Sequence, residues 1–122
     1  MDEQMVAVGG RALQVSSVGS GPVTLVILSG SNILFPGLEY APLADALREW
    51  YSVLIPSKFG YGFSDLTEAP RDVDTVVEEY RRVLAALKHP FPVVLAAHSM
   101  GFLEALHLTL IHISEPTRRV VI

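Results

Sequence analysis

Hydrophobic and polar residues alternate with a period of two near the start of the chain. The apolar positions of this alternation are Met5, Ala7, Leu13 and Val15. Alternation is typical of strands with one buried face, and the pair Gly9-Gly10 between the two runs suits a tight turn with positive φ angles. The pattern therefore predicts a β-hairpin over residues 5–18.

Three later runs are apolar at almost every position and do not alternate. They are Val23–Leu28, Tyr51–Ile55 and Val93–Ala97. Short apolar runs bounded by turn residues are typical of parallel strands that are buried on both faces. These runs are therefore expected to form the centre of a sheet.

Segments with helical periodicity separate and follow the apolar runs. Helices are predicted over Glu39–Trp50, Arg71–His89 and Met100–Leu110. The second has a continuous apolar stripe, typical of a helix packed on a core, and the capping-box spacing of Thr75 and Glu78 predicts that its regular part begins near Val76. Strands that alternate with helices predict an α/β fold, with a doubly wound, mostly parallel sheet preceded by the β-hairpin.

The position that points most directly to chemistry is Ser99, between the apolar run Val93–Ala97 and the helix after it. A serine at a sharp strand-to-helix turn exposes its hydroxyl at the edge of the sheet, where backbone N–H groups at the helix start can face a developing oxyanion. The small residues Ala97 and Gly101 leave room for such a turn, so Ser99 is a candidate nucleophile. The alternative interpretation is an ordinary helix N-cap.

Two further polar segments come directly after predicted strands. They are Ser29-Gly30-Ser31 and Lys58-Phe59-Gly60. The carboxyl ends of parallel strands meet at one edge of a sheet, and ligands bind there in doubly wound folds. Both segments are therefore expected at the same edge as Ser99, which favours the nucleophile interpretation.

Composition narrows the range of partners. With 122 residues, 18% of them charged, the chain is long enough for one globular domain, and its formal net charge of -4 disfavours nucleic acid and anionic membranes. The chain has no cysteine and no complete Gly-x-Gly-x-x-Gly or Walker loop, so no cofactor and no metal are predicted. The N-terminus does not resemble a signal peptide and no apolar run could span a membrane, so the expected location is cytoplasmic.

Over about residues 4–110, the chain resembles the α/β-hydrolase superfamily. The resemblance rests on the order of a hairpin, a strand ending in Ser29-Gly30-Ser31, a strand followed by Gly60-Tyr61-Gly62-Phe63-Ser64, and the turn His98-Ser99-Met100. Ala97 stands where the usual Gly-x-Ser-x-Gly turn has its first glycine. The combination of these motifs looks like a bacterial branch of uncharacterised hydrolases.

The resemblance implies roles for particular residues. Ser99 would be the nucleophile, and the backbone N–H groups of Ser31 and Met100 would form the oxyanion hole. The implied activity is hydrolysis of ester, thioester or amide bonds in a small-molecule substrate. His98 occupies a variable position of the motif, and its side chain is expected to pack beside the strand rather than act as the base. No particular oligomeric state is implied.

In the superfamily, the acid and the histidine of the catalytic triad follow the nucleophile, on loops after later strands. The candidates after Ser99 are Glu104, His107, His112 and Glu115, and none is placed like the family's acid or base. The resemblance therefore implies a truncated α/β-hydrolase core, the N-terminal fragment of a serine hydrolase, inactive as written. The alternatives are a non-catalytic binding or scaffold domain, and a non-hydrolytic member of the fold such as an acyltransferase or a cofactor-free peroxidase.

The end of the chain differs from the superfamily. Residues 110–118 resemble translated sequencing-adapter sequence, so residues 1–122 are interpreted as a single partial domain in which about 110–122 are non-native. In the competing interpretation, residues 118–122 begin the next strand and Pro116 lies in the loop before it. Under the first interpretation, the strand Val93–Ala97 keeps an unpaired edge, which invites association and low solubility.

Overall fold

The structure of the protein is a computed structural model that describes residues 1–30, 32–88, 93–111 and 117–121. The strands in these ranges are β1 (Asp2–Val8), β2 (Arg11–Val18), β3 (Val23–Leu28), β4 (Tyr51–Pro56), β5 (Val93–Ala97) and β6 (Thr117–Val121). The helices are α1 (Pro36–Glu39), α2 (Ala41–Leu47), α3 (Val73–Ala86) and α4 (Gly101–Ile111). None of the helices in these ranges is long and apolar enough to cross a membrane.

The described strands form one sheet in the order β1-β2-β4-β3-β5-β6. β1 pairs antiparallel with β2, and β2 with β4, whereas β3 pairs parallel with both β4 and β5. This mostly parallel sheet with an N-terminal hairpin confirms the predicted architecture. The hairpin begins at Asp2 rather than at Met5, because the first four residues of β1 are exposed and show no alternation of buried and exposed positions. The buried residues of β1 are Val6 and Val8, so the prediction that Met5 and Ala7 form its apolar face is wrong.

Helices cover both faces of the sheet. Along β3, Val26 and Leu28 belong to the apolar cluster that also contains the buried stripe of α3, whereas Leu25 and Ile27 pack with Ala44 of α2 on the other face. A strand buried on both sides needs apolar residues at successive positions. This requirement explains why β3 shows a continuous apolar run.

The helix predicted over Glu39–Trp50 is wrong in its bounds. The structure has two short helices in this region, α1 and α2, separated at Tyr40, which has φ −97° and ψ 5°. Pro42 lies in the first turn of α2, where its missing N–H is tolerated. A helix running through from α1 would place the proline ring against the carbonyl of the preceding turn, so the chain breaks before it.

Helix α3 begins at Val73, earlier than predicted. Asp72 is the N-cap, since its side chain accepts a 2.8 Å hydrogen bond from the Thr75 N–H. The prediction of a start near Val76 is wrong, because the cap at Asp72 lets the helix form one turn earlier. The helix ends at Ala86, with Leu87 as its C-cap, so the predicted end at His89 is also wrong.

Strand β6 lies beside β5 on the side away from β3. The two strands are parallel, with Val93 opposite Thr117 and Ala97 opposite Val121. The expectation that β5 would be an unpaired edge is therefore wrong. The prediction of low solubility rested on that unpaired edge, so it loses its basis. The resemblance of residues 110–118 to adapter sequence concerns the origin of the DNA and stays a prediction.

Candidate active site

Ser99 lies in the turn between β5, which ends at Ala97, and α4, which begins at Gly101. It is exposed and has a φ of 54°, in the left-handed region that residues with a Cβ rarely adopt. The turn is closed by two 2.9 Å hydrogen bonds, from the Gly101 N–H to the His98 carbonyl and from the Phe102 N–H to the Ser99 carbonyl. The positive φ shows strained backbone at Ser99, at the sharp strand-to-helix turn where the sequence places this serine.

Two glycines allow the loop after β3 to lie directly against this turn. A Cβ on Gly101 would lie 2.4 Å from the Leu28 carbonyl oxygen, and a Cβ on Gly30 would lie 3.1 Å from the Cβ of Ser99. The first contact excludes any side chain at position 101, and the second would force a neighbour to move. Because Leu28 is also paired with Ala97, the residues that follow β3 and β5 are adjacent at the sheet edge.

Met100 follows Ser99 directly and is exposed. The N–H groups of the residues after it donate within the turn, whereas the Met100 N–H has no acceptor in the described part of the chain. An N–H group at a helix start in this position is available to bind an oxyanion. Ser31, the other predicted donor, lies outside the described residues, so its role stays a prediction.

The His98 side chain faces Tyr40. Its Nδ1 lies 2.9 Å from the Tyr40 hydroxyl oxygen, and the two rings meet edge to face with centroids 6.1 Å apart. The same hydroxyl oxygen accepts a 3.4 Å hydrogen bond from the Gly30 N–H. Burial raises the pKa of Tyr40, so its hydroxyl stays protonated at neutral pH. The imidazole is thus held by Tyr40, in agreement with the expectation that His98 packs rather than acts as a base.

Glu104 lies in the first turn of α4 and is buried. Its Oε2 accepts a 3.1 Å hydrogen bond from Lys58 Nζ, and its Oε1 accepts a 3.3 Å bond from the Tyr80 hydroxyl. Burial raises the pKa of Glu104, and the Lys58 ammonium group acts in the opposite direction. Burial also raises the pKa of Tyr80 well above its ordinary value, so this hydroxyl stays protonated and donates its hydrogen bond to Glu104. Both carboxyl oxygens of Glu104 are therefore occupied inside the protein.

The remaining acid and base candidates are not assembled around Ser99. His107 Nε2 lies 2.7 Å from Asp74 Oδ1, so this imidazole faces α3. His112 and Glu115 lie outside the described residues. Within the described ranges, no group of three His, Asp or Glu side chains could hold a metal ion.

The Gly-x-Gly-x-Ser loop after β4 holds the edge of β2. Ser64 Oγ accepts a 2.7 Å hydrogen bond from the Gln14 N–H and donates a 2.6 Å bond to the Ser57 carbonyl. Asp65 Oδ2 accepts a 2.7 Å bond from the Ala12 N–H. The serine and aspartate of this loop therefore satisfy backbone donors of β2, which gives the motif a structural role.

An open cavity of about 350 Å³ lies near the carboxyl end of β4. Its lining is mostly apolar and includes Phe35, Leu38 and Phe63, and its polar lining residues are Glu3, Gln14, Ser16 and Ser57. None of the residues that line it belongs to the turn around Ser99. The rings of Phe35 and Phe63 are 5.9 Å apart, and Leu38 and Phe63 are 75% and 74% exposed. An apolar recess with a few polar groups suits the apolar part of a small molecule.

Sequence reasoning missed the roles of Lys58 and Tyr40, which both contact the loop after β3. The signal for Lys58 is a charged residue directly after a buried strand and next to the apolar Phe59, a position where a lysine is expected to need a partner. Tyr40 gives no such signal, because it lies in an apolar stripe that is typical of core packing.

Solved structures of hydrolases superpose on nearly the whole chain. The epoxide hydrolase VrEH1 from Vigna radiata aligns with a TM-score of 0.86 at 24% identity, over 98% of this chain and 39% of that one. An alpha/beta hydrolase fold protein from Burkholderia ambifaria aligns with a TM-score of 0.83 at 19% identity, over 97% and 42% of the two chains. The chain has the α/β-hydrolase fold. The thioesterase domain from the curacin biosynthetic pathway has the same arrangement, with a TM-score of 0.84 at 27% identity, over 100% and 46%.

Comparison with curated sequences gives a relative that covers most of this chain. No family model matches the chain. The uncharacterized protein YbdG of Bacillus subtilis (strain 168) is 33% identical over 103 residues, which make up 84% of this chain and 32% of YbdG. The chain therefore spans about a third of the length of this curated relative.

Proposed function

We propose that the chain is the N-terminal part of a serine hydrolase that acts on ester, thioester or amide bonds, with Ser99 as the nucleophile. The observation that carries the proposal is the exposed Ser99 with a φ of 54° at the carboxyl end of β5. Strained backbone at a residue other than glycine persists only where the surroundings enforce it, and it is concentrated at functional sites. The close packing of Gly30 and Gly101 around this turn supplies that enforcement.

In the proposed reaction, Ser99 Oγ attacks the carbonyl carbon of the substrate while its proton passes to a histidine base. The carbonyl oxygen becomes an oxyanion, and the N–H groups of Met100 and Ser31 are proposed to bind it. Loss of one such donor typically lowers the rate by about 10²–10³. The bond to the leaving group then breaks, the histidine protonates that group, and water hydrolyses the acyl-enzyme in a second pair of steps.

The base and the acid of the triad are proposed to belong to a longer protein. The described histidines are both engaged elsewhere, His98 with Tyr40 and His107 with Asp74. A serine without a neighbouring imidazole is a weak nucleophile near neutral pH. The proposal therefore has two parts, an inactive 122-residue chain and an active longer protein in the cytoplasm with a small-molecule substrate and no nucleic-acid or membrane partner.

Residues from about 110 onward are proposed to be non-native, because residues 110–118 resemble translated adapter sequence. Sequencing of the genomic locus from amplified DNA that has never carried an adapter tests this part. A reading frame that departs from the printed sequence near Thr109 supports it, and an unchanged frame through Ile122 contradicts it. The corrected frame also supplies the longer protein for the activity test.

A fluorophosphonate probe tests the nucleophile. The longer protein is expected to be labelled at Ser99, as located by mass spectrometry, and Ser99→Ala is expected to abolish labelling. Ser20→Ala is the matched control, because Ser20 is an exposed serine in a turn remote from the site. Absence of label at Ser99 in a folded longer protein would favour the scaffold domain over the enzyme.

A further inference from the structure

The backbone of Ser29 and Gly30, just after β3, is contacted by two side chains that also contact residues before and after Ser99. Lys58 Nζ donates to the Ser29 carbonyl at 3.5 Å and to Glu104 of α4 at 3.1 Å. On the next residue, the Gly30 N–H donates to the Tyr40 hydroxyl, which also bonds to His98. Successive residues of one loop are thus linked to His98, just before Ser99, and to Glu104 in the helix after it, and we call Lys58 and Tyr40 the loop tethers.

Lys58 is an unusual residue to bury. Its side chain and that of Glu104 are 9% and 8% exposed, and the ammonium group also lies 5.7 Å from the centre of the Tyr61 ring. A buried ion pair adds little net stability, because desolvation of the two charges offsets their attraction, whereas loss of one partner leaves an unpaired buried charge. Stability alone therefore gives no reason for Lys58, but a fixed distance between the loop and α4 does.

Tyr40 connects the same loop to the residue before the nucleophile. Its hydroxyl accepts from Gly30, so its own proton is free to be donated to His98 Nδ1. On both tethers the bond to the loop is the longer one, and the shorter bond goes to Glu104 from Lys58 and to His98 from Tyr40. Each side chain is therefore held more closely by Glu104 or by His98, and it uses a further donor or acceptor to contact the loop. The Gly30 N–H is consequently used by Tyr40 and does not point at an oxyanion.

We propose that Lys58 and Tyr40 are positioning residues that hold the backbone of Ser29 and Gly30 against the turn at Ser99. Their use in catalysis rests on the proposed hydrolase function, because the next residue along the loop is the predicted oxyanion donor. Neither tether touches the reacting atoms. Each acts through the backbone, by holding the loop after β3 in a fixed position relative to the turn after β5.

Residue-resolved hydrogen exchange on the 122-residue chain tests the tethers without any activity. In Tyr40→Phe, exchange of the Gly30 amide is expected to speed up by at least about tenfold, since its acceptor is lost, while the Ile27 amide inside β3 keeps its wild-type rate. Lys58→Met is expected to speed up the Gly30 amide in the same selective way. The matched controls are Tyr51→Phe and Lys88→Met, which change the same residue types away from the loop.

Two further measurements keep the proposal falsifiable. If Lys58→Met does not fold, the double variant Lys58→Met with Glu104→Leu removes both charges and leaves none unpaired, and it is expected to show the same selective loosening at Gly30. Exchange at Gly30 that is unchanged, or that rises only in step with Ile27, would overturn the proposal.

The catalytic use of the tethers is tested separately. In the longer protein, Tyr40→Phe is expected to lower the rate of fluorophosphonate labelling at Ser99 several-fold, with Tyr51→Phe at the wild-type rate. Labelling at the wild-type rate in Tyr40→Phe would overturn a positioning role in catalysis. If wild-type Ser99 is not labelled at all, the proposed function fails, and selective exchange at Gly30 still decides whether the tethers hold the loop.

Discussion

The Cβ of Ser99 lies 3.1 Å from the point that a Cβ on Gly30 would occupy, so the loop after β3 and the turn after β5 are in direct contact. Residues far apart in sequence thus share one packing constraint at the edge of the sheet. Gly101 adds a second constraint beneath the turn, against the backbone of Leu28. Substitutions at these residues are therefore expected to alter the geometry of the site first, and its chemistry as a consequence.

Gly101→Ala is expected to destabilise the chain by about 1–3 kcal/mol or more, because the new methyl group would overlap a backbone carbonyl that cannot move aside easily. Gly30→Ala is expected to have a smaller effect, since the atoms nearest to the added methyl group would be 3.1 Å away from it. Urea denaturation of the two variants beside the wild type measures the difference. Equal stabilities for Gly101→Ala and the wild type would mean that this turn is more open than the structure has it.

Ser99→Gly is expected to raise the free energy of unfolding by about 1 kcal/mol, because glycine adopts the positive φ at this position without the penalty of a Cβ. Ser99→Ala removes the hydroxyl but keeps the strain, so it serves as the control and should show no such gain. Thermal denaturation of the three proteins provides the comparison. A glycine variant less stable than the alanine variant would contradict the strain.

The buried Glu104 should give the chain a distinctive dependence of stability on pH. Its pKa is raised in the folded state, so the folded chain holds this proton at a higher pH than the unfolded chain does. Its contribution to stability is therefore largest below the unfolded pKa and falls as the pH rises through the folded pKa.

Subtraction of the Glu104→Gln variant isolates this contribution. The carboxyls of Asp72 and Glu78, whose pKa values are lowered, act in the opposite direction, but they are present in both proteins. The free energy of unfolding of the wild type, relative to that of the variant, is expected to decrease as the pH is raised from about 4.5. A difference that increases over this range would show that the pairing with Lys58 outweighs the burial.

Asp72→Ala is expected to lower the denaturation midpoint, because it removes the acceptor of the Thr75 N–H at the start of α3. Asp72→Asn should retain most of the stability, since asparagine caps helices as well as aspartate does. If instead the capping box of Thr75 and Glu78 began the helix, Glu78→Ala would be the more damaging change.

The 122-residue chain is expected to hydrolyse an activated short-chain ester no faster than its Ser99→Ala variant, because no imidazole of the described residues is free to take the serine proton. The assay compares the two proteins at equal concentration, with the longer protein as the positive control. Turnover that depends on Ser99 in the 122-residue chain would show that a base is present. His107→Ala and His112→Ala would then identify it.

The elements that could be predicted from the sequence are those whose pattern reflects their own burial. The bounds of β3 and β5 follow from continuous apolar runs, since a strand buried on both faces must be apolar at successive positions. The strained turn at Ser99 could also be predicted, because a buried strand, a small residue, a serine and a glycine occur there in a local and recognisable order.

The features that could not be predicted depend on partners distant in sequence. The pairing of Glu104 with Lys58 and Tyr80 brings together three separate segments of the chain, and no local pattern encodes it. The break at Tyr40 was hidden by an apolar stripe that reads equally well as one helix or two. The start of β1 gave no signal in the sequence because its first four residues are all exposed and show no alternation of buried and exposed positions.

The bonds from Ser64 and Asp65 to the backbone of β2 have a consequence for protein engineering. In enzymes, loops around the active site are commonly exchanged in order to change substrate specificity, on the assumption that the rest of the fold does not depend on them. Here the loop supplies acceptors to Gln14 and Ala12, which β4 does not reach in the observed register. An exchanged loop that lacks those two side chains would leave the N–H groups of Gln14 and Ala12 without these acceptors and open to water or to another chain. The design of such a loop therefore has to begin by replacing the two acceptors.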